Sequence, residues 1–145
     1  MGKVRTMKNI RGLLLMSATV LLAACGKPQV VKVTETEYEL KLDQNTVAPG
    51  DVTFTVTNGG HAHHSLVVLK TDLPVDGLPV ITNADNTTVV DERSPEVEHL
   101  TPEVEDVLGG GTKSATLELT PGKYAVICNE PDHYRNGMYA ALSVK

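Results

Sequence analysis

Along residues 37–43 polar and apolar side chains alternate. Tyr38, Leu40 and Leu42 fall on one side, and Glu37, Glu39, Lys41 and Asp43 on the other. A repeat of two marks a half-buried strand. The segment "NTVAPGD" supplies a turn, and alternation resumes with Val52, Phe54 and Val56 set against Thr53, Thr55 and Thr57. "NGG" breaks that pattern. The continuous apolar run "HSLVVLK" predicts a central strand. After "GGGTK" the alternation returns, with Leu117 and Leu119 pointing inward. Tyr124, Val126 and Cys128 then share one face, as do Met138, Ala140, Leu142 and Val144. Two stretches fit less well. Residues 26–36 are polar without a clear apolar period and are expected to be a tether. Residues 71–111 are punctuated by Pro74, Pro79, Pro95 and Pro102. There "SPEVEHL" and "TPEVEDVL" read as starts of short helical turns, each with a capping hydroxyl, then proline, then acids. Short strands, turn punctuation and no long amphipathic helix predict an all-β sandwich or barrel.

Composition narrows how that sandwich is built. Hydrophobic residues make up 41% of the 145-residue chain but aromatics only 3%, so Val, Leu, Ile and Ala must fill the core. The first residues stand apart. Lys3, Arg5, Lys8 and Arg11 precede the uncharged run "LLLMSATVLLAA". A basic segment followed by a short apolar one reads as an export signal. The run is shorter than the roughly 20 residues a membrane-spanning helix needs. "LAAC" at its end resembles the lipobox of bacterial lipoproteins. That resemblance implies cleavage after residue 24 and lipid on Cys25, anchoring the exported chain to the cell membrane or outer membrane, on the periplasmic or external side. Residues 1–24 are then signal, 25–36 lipidated cysteine and tether, and 37–145 the folded domain. Lipidation would also leave Cys128, the second of two cysteines, without a disulfide partner in the chain. Without the signal's four positive charges, 9 of the 13 Lys and Arg remain against 18 Asp and Glu. Such an acidic domain argues against nucleic acid as a partner. It suits a cationic protein partner or plain solubility.

The C-terminal stretch "CNEPDHYRNGM" carries the chemistry. Cys128, His133 and Met138 sit five residues apart and are all ligands for soft metals. Strand periodicity aims Cys128 and Met138 into the same end of the sandwich if their strands are neighbours. Thiolate, thioether and imidazole suit copper, and a second histidine would complete the blue-copper set of two imidazoles, a thiolate and a distant thioether. "NGGHAHHSLVVL" offers His61, His63 and His64 for that place.

These two loops resemble those of the cupredoxins, the plastocyanin, azurin and rusticyanin family, with the Cys–His and His–Met spacing most similar to rusticyanin-like members. The resemblance covers residues 37–145. It implies a Greek-key β-sandwich, one type 1 copper ion and single-electron transfer between redox proteins, by a chain expected to be a monomer and not an enzyme. Carried over, Cys128, His133 and Met138 are ligands, and His64 is the first imidazole, with His63 the next choice. Ser65, which follows His64, is expected to hydrogen-bond toward Asn129, which follows Cys128, tying the two ligand loops together. The ring of His133 is expected near the surface beside Pro131, Tyr134 and Gly137, as the docking face. Tyr124 is expected to be a packing and corner residue. A copper chaperone or store is the alternative function, favoured only by the cluster "HAHH". An oxidase or reductase would need further copper domains, which 121 mature residues do not hold.

Overall fold

A computed structural model describes Gly2 and residues 29–145. The export signal, Cys25 and the first part of the tether lie outside the described residues. Every regular element among the described residues is a strand. In chain order they are β1 (Gln29–Thr36), β2 (Glu39–Leu42), β3 (Thr46–Val47), β4 (Gly50–Asn58), β5 (His64–Lys70), β6 (Val80–Thr82), β7 (Thr88–Val90), β8 (Glu98–Val107), β9 (Thr112–Leu119), β10 (Gly122–Ile127) and β11 (Tyr139–Val144).

Two sheets face each other. One has the order β2-β1-β4-β9 and the other β3-β11-β10-β5-β8, while β6 and β7 form a separate ribbon. Most pairs are antiparallel, but β1 runs parallel to β4 and β3 parallel to β11. The inward residues of the alternating segments meet between the sheets. Val52, Phe54, Val56, Leu117 and Leu119 from the first sheet pack against Leu66, Val68, Val126, Leu142 and Val144 from the second. Cys128 and Met138 belong to this same cluster. Burial of this aliphatic surface drives the association of the sheets.

The second sheet is covered on its outer face as well. Val67, Leu69, Ala125 and Ile127 pack there against Leu78, Val90 and Tyr134. That cover explains why β5 is apolar at consecutive positions, since both of its faces are buried. Tyr124 closes a corner as expected: its hydroxyl donates to the Thr120 carbonyl at 2.7 Å and accepts the Thr120 N–H at 3.1 Å.

Two expectations give way. Residues 29–36 are not a tether but β1, a strand inside the first sheet whose Val31 and Val33 are fully buried. Its period was hidden by Glu35, which occupies the third inward position and is also fully buried. The helical turns expected between 71 and 111 are absent from the described residues, where turns, the β6–β7 ribbon and β8 stand instead. Pro102 lies within β8, at the edge of its sheet, where a missing N–H is tolerated. Thr and Pro before acids fit an edge strand as well as a helix start, and pairing of β8 with β5 decides between them.

Glu35 carries a cost. Neither carboxyl oxygen has a hydrogen-bond partner. Burial, and then the charge of Glu130, pushes its pKa from 4.5 up to about 8. Folded Glu35 therefore keeps a proton that the unfolded chain loses near pH 4.5. Its contribution to stability is fully present below that pH and is lost as pH rises toward 8, by at most about 1.4 kcal/mol per pH unit. Glu35→Gln should melt close to the parent at pH 4.5 and at least roughly 5 °C above it at pH 8.5. Thermal unfolding of both copper-free proteins across this range checks it, and parallel curves would refute it.

Candidate metal centre

Three strands and one loop bring the donors together at one end of the sandwich. β5 begins with His64, which is fully buried. Cys128 directly follows β10 and is also fully buried. The chain then turns through 131–137 and enters β11 just after Met138. Gly137 makes that turn with φ of +108°, a conformation side chains other than glycine rarely take. Met138, with no exposed surface, packs in the core, and its backbone is fixed as well: its N–H donates to the His133 carbonyl at 3.2 Å and its carbonyl accepts the Cys128 N–H at 3.0 Å.

The donor atoms form a small triangle. Cys128 Sγ lies 3.4 Å from His133 Nδ1 and 3.8 Å from His64 Nδ1, and the two nitrogens are 3.3 Å apart. The point equidistant from all three is about 2.0 Å from each, the length of a bond from imidazole to a first-row metal and slightly short for thiolate. Two imidazole lone pairs and a sulfur converging at this spacing fit a copper ion. Met138 supplies a thioether from the same buried cluster.

The electrostatics point the same way. Burial lowers the pKa of both His64 and His133, so both rings are neutral and free to act as ligands at neutral pH. Burial raises the Cys128 thiol to about 11, while the backbone N–H groups of Ser65 and Glu130 partly oppose the shift. The Ser65 N–H reaches the sulfur at 3.4 Å, and the Ser65 hydroxyl lies at 4.0 Å. Hydrogen bonds of this kind set the electron density on a metal-bound sulfur.

The structure settles the choice among the histidines. His64 is in the triangle; His61 and His63 are not. The His63 ring is exposed and pairs with Glu130 at 3.0 Å. The turn before β5 is shaped by Asn58, whose side-chain amide donates to the carbonyls of Ala62 (2.6 Å) and Val107 (2.7 Å). It is also shaped by Glu37, whose carboxylate accepts the N–H groups of His61 and Ala62. Those bonds hold the Glu37 carboxyl down at about 2.

Two expectations about the neighbours need correction. Asn129 does not pair with Ser65. Its side chain bonds both backbone groups of Val90, at 2.7 and 3.1 Å, and donates to Glu92 at 2.6 Å. Asp132 makes a parallel clamp: it accepts the Thr88 N–H at 2.8 Å and hydroxyl at 3.0 Å, and donates its own N–H to the Thr88 carbonyl at 2.8 Å. The ligand loop is thus fastened to β7, a role the sequence did not reveal because nothing local marks residues 88–90 as its partner. Tyr134 is not at the surface either. It is buried, and its hydroxyl donates to the Val75 carbonyl and accepts the Leu78 N–H, both at 2.9 Å. Tyr38 takes the surface place: the residue is 55% exposed, and its ring is edge-on to His133 at 5.7 Å. Its turn conformation, φ of 60°, removes it from the inward face where alternation put it.

Residues 20–145 match the family of copper-binding proteins described as plastocyanin/azurin. The chain belongs to this family. No curated protein sequence matches it. Solved structures with the same fold include an auracyanin from Roseiflexus castenholzii, at 21% identity and a TM-score of 0.58, covering 83% of this chain and 99% of that one. Auracyanin A from Chloroflexus aurantiacus follows at 18% and 0.53, covering 82% and 100%. Rusticyanin from Thiobacillus ferrooxidans is 21% identical with a TM-score of 0.50, covering 82% and 79%. This cupredoxin therefore has His64, Cys128, His133 and Met138 arranged as a type 1 copper site.

Copper must displace the proton that burial keeps on Cys128, whereas both imidazoles are already neutral above pH 7. Affinity for Cu(II) is expected to rise about tenfold per pH unit between 7 and 9. Competition against a chelator of known pH dependence measures this; a flat profile would show that the free thiol is already ionised.

Proposed function

We propose that this cupredoxin is a single-electron carrier working outside the cytoplasm, tethered by lipid on Cys25. The observation that carries the electron-transfer reading is the asymmetry of the donor triangle. His64 and Cys128 are sealed, while His133 is half-buried beside the exposed Tyr38. Copper bound there supplies a one-electron couple. The chain's own residues do the rest. Backbone bonds at Met138, Ser65 and Gly137, with the Asn129 and Asp132 clamps, hold the ligands in one arrangement, so little must move when charge changes. Tyr38 lies edge-on to the half-buried ring of His133 and offers a surface on which a redox protein can dock. No covalent bond of a substrate is made or broken in this reading, so the chain is a carrier and not an enzyme.

The tether rests on residues 1–25: a basic segment, an apolar run and "LAAC". With 18 acidic residues against 9 basic ones after the signal, a cationic partner is favoured. The chaperone or storage reading loses its main support, because His61 and His63 join neither metal-ligand cluster among the described residues.

The oxidised copper protein should show an intense thiolate-to-copper band in the visible. His64→Ala should abolish it, and His61→Ala and His63→Ala should spare it. A colourless Cu(II) protein would sink the carrier reading. Cys25→Ser should move the chain from the membrane fraction to the soluble one; unchanged fractionation would remove the lipid anchor.

A further inference from the structure

A second group of metal-ligating side chains lies outside the copper centre. Glu92, in the turn after β7, faces His99 and Glu103 of β8, and one donor atom from each lies within 4.8 Å of the others. Glu92 Oε2 is 3.6 Å from His99 Nδ1, and Glu103 Oε1 is 2.9 Å from His99 Nε2. All three side chains are about three-quarters buried. The His99 Nε2 atom is fully buried and makes no hydrogen bond despite the near oxygen, so that oxygen lies off the line a hydrogen bond requires.

The charges are unbalanced. Two carboxylates converge on one imidazole, and no Lys or Arg among the described residues forms an ion pair with either. Burial and then the charge of Glu92 raise the Glu103 carboxyl, while His99 partly opposes the shift. Asn129 steadies the arrangement by donating to Glu92 Oε1 at 2.6 Å, leaving Oε2 turned toward His99. An open cleft of about 480 Å³ lined by Val90, Glu92, Arg93, His99 and Asn129 gives access from solvent.

We propose that Glu92, His99 and Glu103 form a second metal site, which takes a divalent first-row cation of the zinc type. One imidazole with two carboxylates is a donor set of borderline hardness, suited to zinc and unlike the sulfur-rich copper centre. A divalent ion neutralises both acids, and water from the cleft completes its coordination. Through Glu92 and Asn129 the site connects to the residue that follows the copper ligand Cys128.

The test is calorimetric titration of the copper-loaded protein with zinc chloride, with the visible copper band followed in parallel. One zinc per chain should bind with the copper band retained. His99→Gln and Glu103→Gln should each weaken zinc binding at least about tenfold, while His61→Ala and His63→Ala should leave it unchanged. The retained copper band reports that each variant is folded, and Glu103→Gln gives the reading if His99→Gln loses that band. The proposal is overturned by absence of zinc binding, by binding that both glutamine variants leave intact, by binding lost in His63→Ala, or by zinc uptake at the expense of the copper band.

Discussion

One sulfur, cut off from water and crowded by nitrogen lone pairs, organises this end of the protein. Cys128 Sγ has an imidazole nitrogen at 3.4 Å and another at 3.8 Å. Three donor atoms at that spacing need a cation or shared protons among them, so the scaffold must hold them in place. It does so from several directions. β5 brings His64 and the Ser65 N–H to the sulfur, β10 delivers Cys128 itself, and β11 returns Met138. The loop between the last two is anchored to β7 through Asn129 and Asp132. Rigid donors of this kind are what a one-electron couple requires, because any ligand movement on charge transfer adds to the barrier.

The two-sided burial of the second sheet follows from the same need. A sheet open to water on its outer face would leave the ligand loop resting on a mobile surface. Here Leu78, Val90 and Tyr134 cover Val67, Leu69, Ala125 and Ile127, and the β6–β7 ribbon that contributes Val90 also grips the loop. Packing and ligand positioning are therefore served by one element. Phe54 is the only phenylalanine in the chain, and most of the remaining core is aliphatic, so the site depends on many small contacts and not on a few large ones.

Carboxyl groups out of full contact with water occur in both sheets. Glu35 sits without a hydrogen-bond partner in the first sheet, and its carboxyl is raised by burial and by Glu130. Glu92 and Glu103 converge on His99 across the other sheet's edge. Glu35 departs from the rule that a sandwich interior is apolar, and it keeps its proton as a result.

The identity of the fold and of three ligands was legible because the signals are local. Alternation with period two placed Val52, Phe54, Val56, Tyr124, Val126 and Cys128 on inward faces, and the spacing of Cys128, His133 and Met138, with their strand faces and the resemblance to cupredoxin loops, set them apart from ordinary core residues. The same local logic missed β1, because a buried glutamate interrupted its period, and misread β8, because cap-like residues before acids suit a helix start and an edge strand equally. What remained undecided depended on residues far apart in the chain. That His64 and not His63 meets Cys128, that Asn129 reaches Val90 and not Ser65, and that Tyr38 and not Tyr134 lies against His133 at the surface are outcomes of how the two sheets and the ribbon pack. Periodicity records which face a side chain leaves from; only the assembled sheets decide what stands opposite it.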